Sequence, residues 1–259
     1  MPATFEAARR EGRAAFIAYL MAGDPDLPRT QGFALACERG GADVLEIGIP
    51  FSDPIADGPE IQRAGQRALR SGTRPRDVLG LAASLRQRSE IPIVLMSYAN
   101  PIYAMGLETF SERARDAGVD GVIVPDLSWE ASDEIRGPFD ACGVDVIQMV
   151  APSTPPERAA AIAGSSRGFL YVVARFGTTG AQPDLPDDLP ARISDLHRAT
   201  DLPLAVGFGV TTAAHVRALA AAGADGIVVG SAIVQKIGED PKPEVVERFV
   251  AELTLSLSS

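Results

Sequence analysis

Residues 202–235 read "LPLAVGFGVTTAAHVRALAAAGADGIVVGSAIVQ": an apolar run, a Gly-rich turn, a segment of helical period, and a second apolar run ending in another Gly-rich turn. The two runs are short, rich in apolar and β-branched residues, and lack in/out alternation, which is the pattern of parallel strands covered on both faces. The stretch therefore reads as strand, helix, strand.

The same unit runs through the rest of the chain. Six earlier runs, "FIAYLMAG", "DVLEIGI", "IPIVLMSY", "GVIVP", "DVIQMVAP" and "FLYVVAR", are separated by helical stretches such as "RTQGFALACERG", "RDVLGLAASLRQRS" and "LETFSERARDAG". Helix passes to strand through a recurring signature, "RGGAD" at 39–43, "DAGVD" at 116–120, "ACGVD" at 141–145 and "AAGADG" at 221–226, whose glycines suit left-handed C-terminal caps. Eight βα units with no linker or composition break predict an α/β chain folded as one (β/α)8 TIM barrel domain over residues 1–259, with a short N-terminal helix before the first strand. The alternative, an open doubly wound sheet, normally carries a Gly-rich fingerprint after its first strand, and "MAGDPD" at 21–26 is not one.

The 259 residues are 46% hydrophobic and 22% charged, a globular balance, and no apolar run reaches the roughly 18 to 20 residues that cross a bilayer. The N-terminus lacks the apolar centre of a signal peptide, so a cytoplasmic location is expected. A net charge of −10 argues against nucleic acid and anionic membrane as partners. It leaves room for a small anionic substrate, held by backbone dipoles because Lys236 and Lys242 are the only lysines and neither lies in a Gly-rich loop. Cys37 and Cys142 lack partner spacing and read as buried thiols. His197 and His215 are equally isolated, and no metal site is expected.

In a barrel the chemistry belongs at the C-terminal ends of the strands. Glu46 sits there in "DVLEIGI", an acid among apolar residues, where burial raises a carboxyl pKa toward the range a proton shuttle needs. Asp53 and Asp57 follow in "FSDPIADGPEIQ"; an isolated Asp in such a loop is commonly a turn former, but Glu46 and Asp57 come from one strand and its loop and could flank one small substrate. Gly-rich turns after the last three strands, "FGTTGAQ", "GFGVTT" and "GSAIV", suit a phosphate cradle of backbone N–H groups.

These residues resemble the tryptophan synthase α subunit family from about "AAFIAYLMAGDPD" to the last strand. "LEIGIPFSDPIADGPEIQ" resembles its signature almost position for position, and "YANPI", "GVDGVIVPDL", "GFGV" and "ADGIVVGSAIV" agree with it. The resemblance implies a carbon–carbon lyase that cleaves indole-3-glycerol phosphate to indole and glyceraldehyde 3-phosphate without metal or organic cofactor. Glu46 then matches the acid that handles the substrate hydroxyl proton and protonates indole C3, and Asp57 the acid that binds the indole N–H and balances charge growing on the ring. Gly180, Gly209, Gly230 and Ser231 match the phosphate-binding positions, and Tyr98, Tyr171 and Phe208 substrate-binding positions. Asp53, Pro54 and Asn100 match contacts to a β subunit, which carries pyridoxal phosphate and joins in an α2β2 heterotetramer for tryptophan biosynthesis. The chain departs from the pattern at Ala174 and Thr178, and at Ser128, Trp129 and Ala131. Those departures leave open a stand-alone lyase releasing free indole. Intact Glu46 and Asp57 speak against a catalytically silent activator of a β subunit, and the "PFSDPIADGP" signature against another phosphate-sugar barrel isomerase.

Overall fold

The computed structural model describes residues 1–175, 185–207 and 209–257. Its strands are β1 (Ala15–Met21), β2 (Val44–Gly48), β3 (Ile93–Met96), β4 (Gly121–Ile123), β5 (Asp145–Ile147), β6 (Met149–Val150), β7 (Leu170–Val173), β8 (Leu204–Gly207) and β9 (Gly226–Val229). All pair in parallel, in the order β5-β4-β3-β2-β1-β9-β8-β7-β6. The two ends of that order are halves of one extended run, so the sheet comes round on itself as a barrel with helices outside.

The run "DVIQMVAP", expected as one strand, is broken at Gln148. Its N–H donates to the Ser166 hydroxyl at 2.9 Å instead of to a neighbouring strand, while its carbonyl accepts the Tyr171 N–H at 3.0 Å. The first half therefore pairs with β4 and the second with β7.

Alternate residues of each strand face opposite ways, and both faces are apolar. Ile17, Tyr19 and Met21 of β1 point into the barrel, whereas Phe16, Ala18 and Leu20 pack beneath the helices. That two-sided burial is why the strands lack polar alternation. The helix Pro2–Arg10 closes the N-terminal end: Phe5 meets Phe169 at a ring separation of 5.4 Å and lies so close over Gly226 that a Cβ there would come within 2.6 Å of it. With that end filled, the open end is the C-terminal one.

The helix-to-strand signature has two parts. Gly41, Gly118, Gly143 and Gly223 all take positive φ, as expected of left-handed caps. The Asp that follows does something the sequence reading overlooked: Asp43, Asp120 and Asp225 accept the N–H of Phe16, Ile93 and Leu204 at 2.7 to 2.8 Å, each pinning the start of an adjacent strand. Cys37 is buried as expected, but Cys142 is only half-buried at the end of the helix Ser132–Cys142. His197 is exposed, and His215 is buried against its own helix start.

Candidate active site

Glu46 is the middle residue of β2, flanked by Val44, Leu45, Ile47 and Gly48, and its register partners are Tyr19 on β1 and Val94 on β3. Two-residue alternation turns its side chain inward with Val44, so a carboxyl group stands inside the barrel at 1% exposure. Among the described residues no group hydrogen-bonds its Oε2. A buried polar atom left without a partner is costly and points to something that arrives later, here a substrate. Burial, and then the charge of Asp57, push the Glu46 pKa up to about 8.

Asp57 arrives from the loop between β2 and the helix Pro59–Arg70, which the local sequence makes stiff. Pro54 and Pro59 fix φ, the Asp57 N–H closes a turn onto Pro54 O at 3.2 Å, and the Gln62 side-chain amide donates to Asp57 O at 2.9 Å. Tyr98, at the end of the following strand, holds this loop with one hydroxyl. It accepts the Ala56 N–H at 2.9 Å and donates to the Asp57 carboxylate, and its ring packs on Phe51 at 5.3 Å. Burial pushes the Asp57 pKa up to about 6, with the Tyr98 hydrogen bond opposing the rise. The two acids differ because Glu46 is the more deeply buried and feels the charge of Asp57, while Asp57 has the Tyr98 hydroxyl as a donor.

Both face a cavity that opens at the C-terminal mouth of the barrel. Tyr19 and Tyr171 line it beside the acids, and Gly209, Gly230 and Ser231 line its other end. There Gly230 caps the helix Ser231–Glu239, so the unpaired N–H groups of the first turn meet the cavity, and Gly209 turns at φ +87°, where any side chain is strained. No lysine takes part, since Lys236 is paired with Glu239 at 2.9 Å. Among the described residues no group of three or more His, Cys, Asp or Glu side chains is placed to hold a metal ion.

Of the residues singled out in the sequence, Glu46, Asp57, Tyr171, Gly209, Gly230 and Ser231 meet in this one cavity. Tyr98 does not line it; its hydroxyl is spent on the loop that carries Asp57. Gly180, Phe208 and Thr178 lie outside the described residues. Asp53 and Asn100 are exposed and Pro54 is half-buried, in the segments that follow β2 and β3 at the mouth. Tyr19 was overlooked, because a tyrosine inside an apolar strand reads as core.

The departures from the family pattern have local partners. Ser128 caps the short turn Trp129–Ala131, and the Trp129 indole N–H donates to the Ser165 hydroxyl at 2.9 Å. Trp129 also walls a second cavity beyond Ile55 and Ala56. Ala174 is fully buried, with the Arg192 guanidinium donating to its carbonyl and to that of Val173.

Comparison with known proteins bears on this arrangement directly. The family described as "Tryptophan synthase alpha chain" matches residues 5–256. The tryptophan synthase alpha chain of Citrifermentans bemidjiense is 44% identical over 245 residues, 95% of this chain and 91% of that protein, and the one from Methanopyrus kandleri is 44% identical over 253 residues, 98% and 91%. Among solved structures, Mycobacterium tuberculosis tryptophan synthase superposes with a TM-score of 0.92 at 35% identity, over 99% of this chain and 97% of that one. A chain of the tryptophan synthase complex from Pyrococcus furiosus does so at 0.87 and 38%, over 93% and 98%. Sequence and fold agree over nearly the whole length, and the chain belongs to the tryptophan synthase alpha chain family, the carbon–carbon lyases that cleave indole-3-glycerol phosphate.

Proposed function

We propose that Glu46 and Asp57 perform this cleavage as a proton shuttle and an electrostatic partner, with the phosphate held by the backbone around Gly209, Gly230 and Ser231 and by Gly180 beyond the described residues, and with Tyr171 and Phe208 lining the pocket. The observation that carries the reading is a buried carboxyl with no hydrogen bond to one oxygen among the described residues, facing a second acid across a cavity whose far end is a helix N-terminus. Near pH 7 a group titrating at about 8 starts protonated and one titrating at about 6 starts ionised.

Protonated Glu46 donates its proton to indole C3. The positive charge this leaves spreads to the ring nitrogen, whose N–H faces the Asp57 carboxylate. Glu46, now a carboxylate, takes the proton of the hydroxyl on the carbon attached to C3. The O–H pair becomes the carbonyl of glyceraldehyde 3-phosphate, the C–C pair returns to the ring, and indole leaves. Glu46 ends protonated, as it began. The indole ring is itself the electron sink, so this scheme calls for no metal or organic cofactor on this chain.

Residues 1–259 act in this reading as one barrel domain in the cytoplasm, and the indole passes to a β subunit that carries pyridoxal phosphate in an α2β2 heterotetramer. Asp53, Pro54 and Asn100 are its contacts at the mouth. Because Asp53 and Pro54 share a loop with Asp57, a partner that favours the ordered loop should raise turnover, by a coupling of about 1 to 3 kcal/mol if ordinary for allostery. Steady-state indole release titrated with the β subunit should rise to a plateau about 5- to 150-fold above the chain alone. The Trp129–Ser165 anchor, which orders the loop after β4 without a partner, favours the stand-alone lyase as the second reading. A flat titration with high basal release would select it.

A further inference from the structure

Tyr19 lines the cavity, belongs to no role assigned so far, and is placed between its two ends. Its Cα is level with that of Glu46 on the adjoining strand, and its longer side chain rises past the carboxyl, so that the hydroxyl lies over Gly48, two residues further on. A Cβ at Gly48 would fall 2.2 Å from that oxygen. On the other side the ring packs against Gly230 at the phosphate end, where a Cβ would come within 3.4 Å of it. Tyr171 uses the same device across the barrel, its hydroxyl lying over Gly207. The glycines make room for both phenols at a cost in strand stability. Tyr19 is 5% exposed in the wall of the cavity. Burial and the charges of Asp57 and Glu46 hold the phenol well above its usual range, so it is a donor at any working pH.

We propose that Tyr19 is a substrate-binding residue whose hydroxyl donates a hydrogen bond to the glyceryl hydroxyls of indole-3-glycerol phosphate, fixing the chain that links the phosphate to the carbon from which Glu46 takes a proton. This rests on the lyase reading above. It makes Tyr19 a determinant of specificity: the site discriminates for a hydroxylated three-carbon linker and against a bare alkyl one, because only the former offers the phenol a hydrogen-bond partner when the ligand covers it.

The test compares two ligands in the wild-type protein and in Tyr19→Phe, which keeps the ring and removes the hydroxyl. Steady-state indole release gives kcat and KM for indole-3-glycerol phosphate, and competition gives the inhibition constant of 3-(indol-3-yl)propyl phosphate, which has the ring and the phosphate but no glyceryl hydroxyl. Tyr19→Phe should raise KM for the substrate by about tenfold with a smaller loss in kcat, and leave the inhibition constant of the deoxy ligand within about twofold. An equal shift for both ligands would reduce Tyr19 to packing, and no shift for either would remove it from the binding site; each result overturns the inference while leaving the lyase standing. A wild-type protein that releases no indole would overturn the lyase reading and this inference with it.

Discussion

Glu46→Gln lowers the turnover of indole-3-glycerol phosphate by about 10²- to 10⁴-fold, with KM changed by no more than about threefold. The substitution keeps volume and shape inside a packed barrel, where Glu46 sits at 1% exposure between Val44 and Gly48, so the loss reports chemistry and not collapse. What disappears is the capacity to hold a proton at the start and accept one at the end, and both halves of the cleavage use it. A barrier increase of about 3 to 5 kcal/mol is the size expected for a general acid/base removed from a step that nothing else serves. Single-turnover indole release with substrate in excess of KM checks it. A variant that keeps more than about a tenth of wild-type turnover, with chemistry limiting, removes Glu46 from the shuttle role.

Asp57→Asn lowers turnover by about 10²-fold, for a different reason. An asparagine can still accept the indole N–H and still take the Tyr98 hydrogen bond, so the loop fixed by Pro54, Pro59 and Gln62 keeps its shape. It carries no charge, however, and the positive charge that appears on the ring after C3 is protonated stands unbalanced beside it. The effect should therefore fall on kcat, with the affinity for an uncharged-ring ligand such as 3-(indol-3-yl)propyl phosphate nearly unchanged. Equal losses in kcat and in that affinity would instead make Asp57 a ground-state binding residue. Measured together, the two variants separate proton transfer from charge balance.

Much of this was legible before the structure. The barrel follows from strand runs without polar alternation, and the reason is visible in β1, where Ile17 and Phe16 are both fully buried on opposite faces. Glu46 stood out because an acid inside such a run has no solvated face to occupy. Gly209 and Gly230 were legible because both the positive φ and the approach of a ligand to a helix start ask for glycine.

What escaped depends on partners far along the chain. The break at Gln148 needs the hydroxyl of Ser166, and nothing in "DVIQMVAP" signals it. Tyr98 reads as a pocket residue in one dimension, yet its hydroxyl is occupied by the Ala56 N–H and Asp57. Tyr19 escaped because, in strands apolar on both sides, sequence does not tell which residues face the barrel interior. The glycine at 48 on the neighbouring strand was the available clue.

The pH dependence of kcat/KM for indole release reads the protonation states of Glu46 and Asp57 together. Asp57 must be ionised, so activity should rise as pH passes about 6, and Glu46 must be protonated, so activity should fall as pH passes about 8. The predicted profile is a bell with its maximum near neutrality, with the acidic limb lost in Asp57→Asn and the alkaline limb lost in Glu46→Gln. A wild-type profile that stays flat from about pH 5.5 to 8.5 while chemistry limits the rate, or limbs that survive both substitutions, would contradict it.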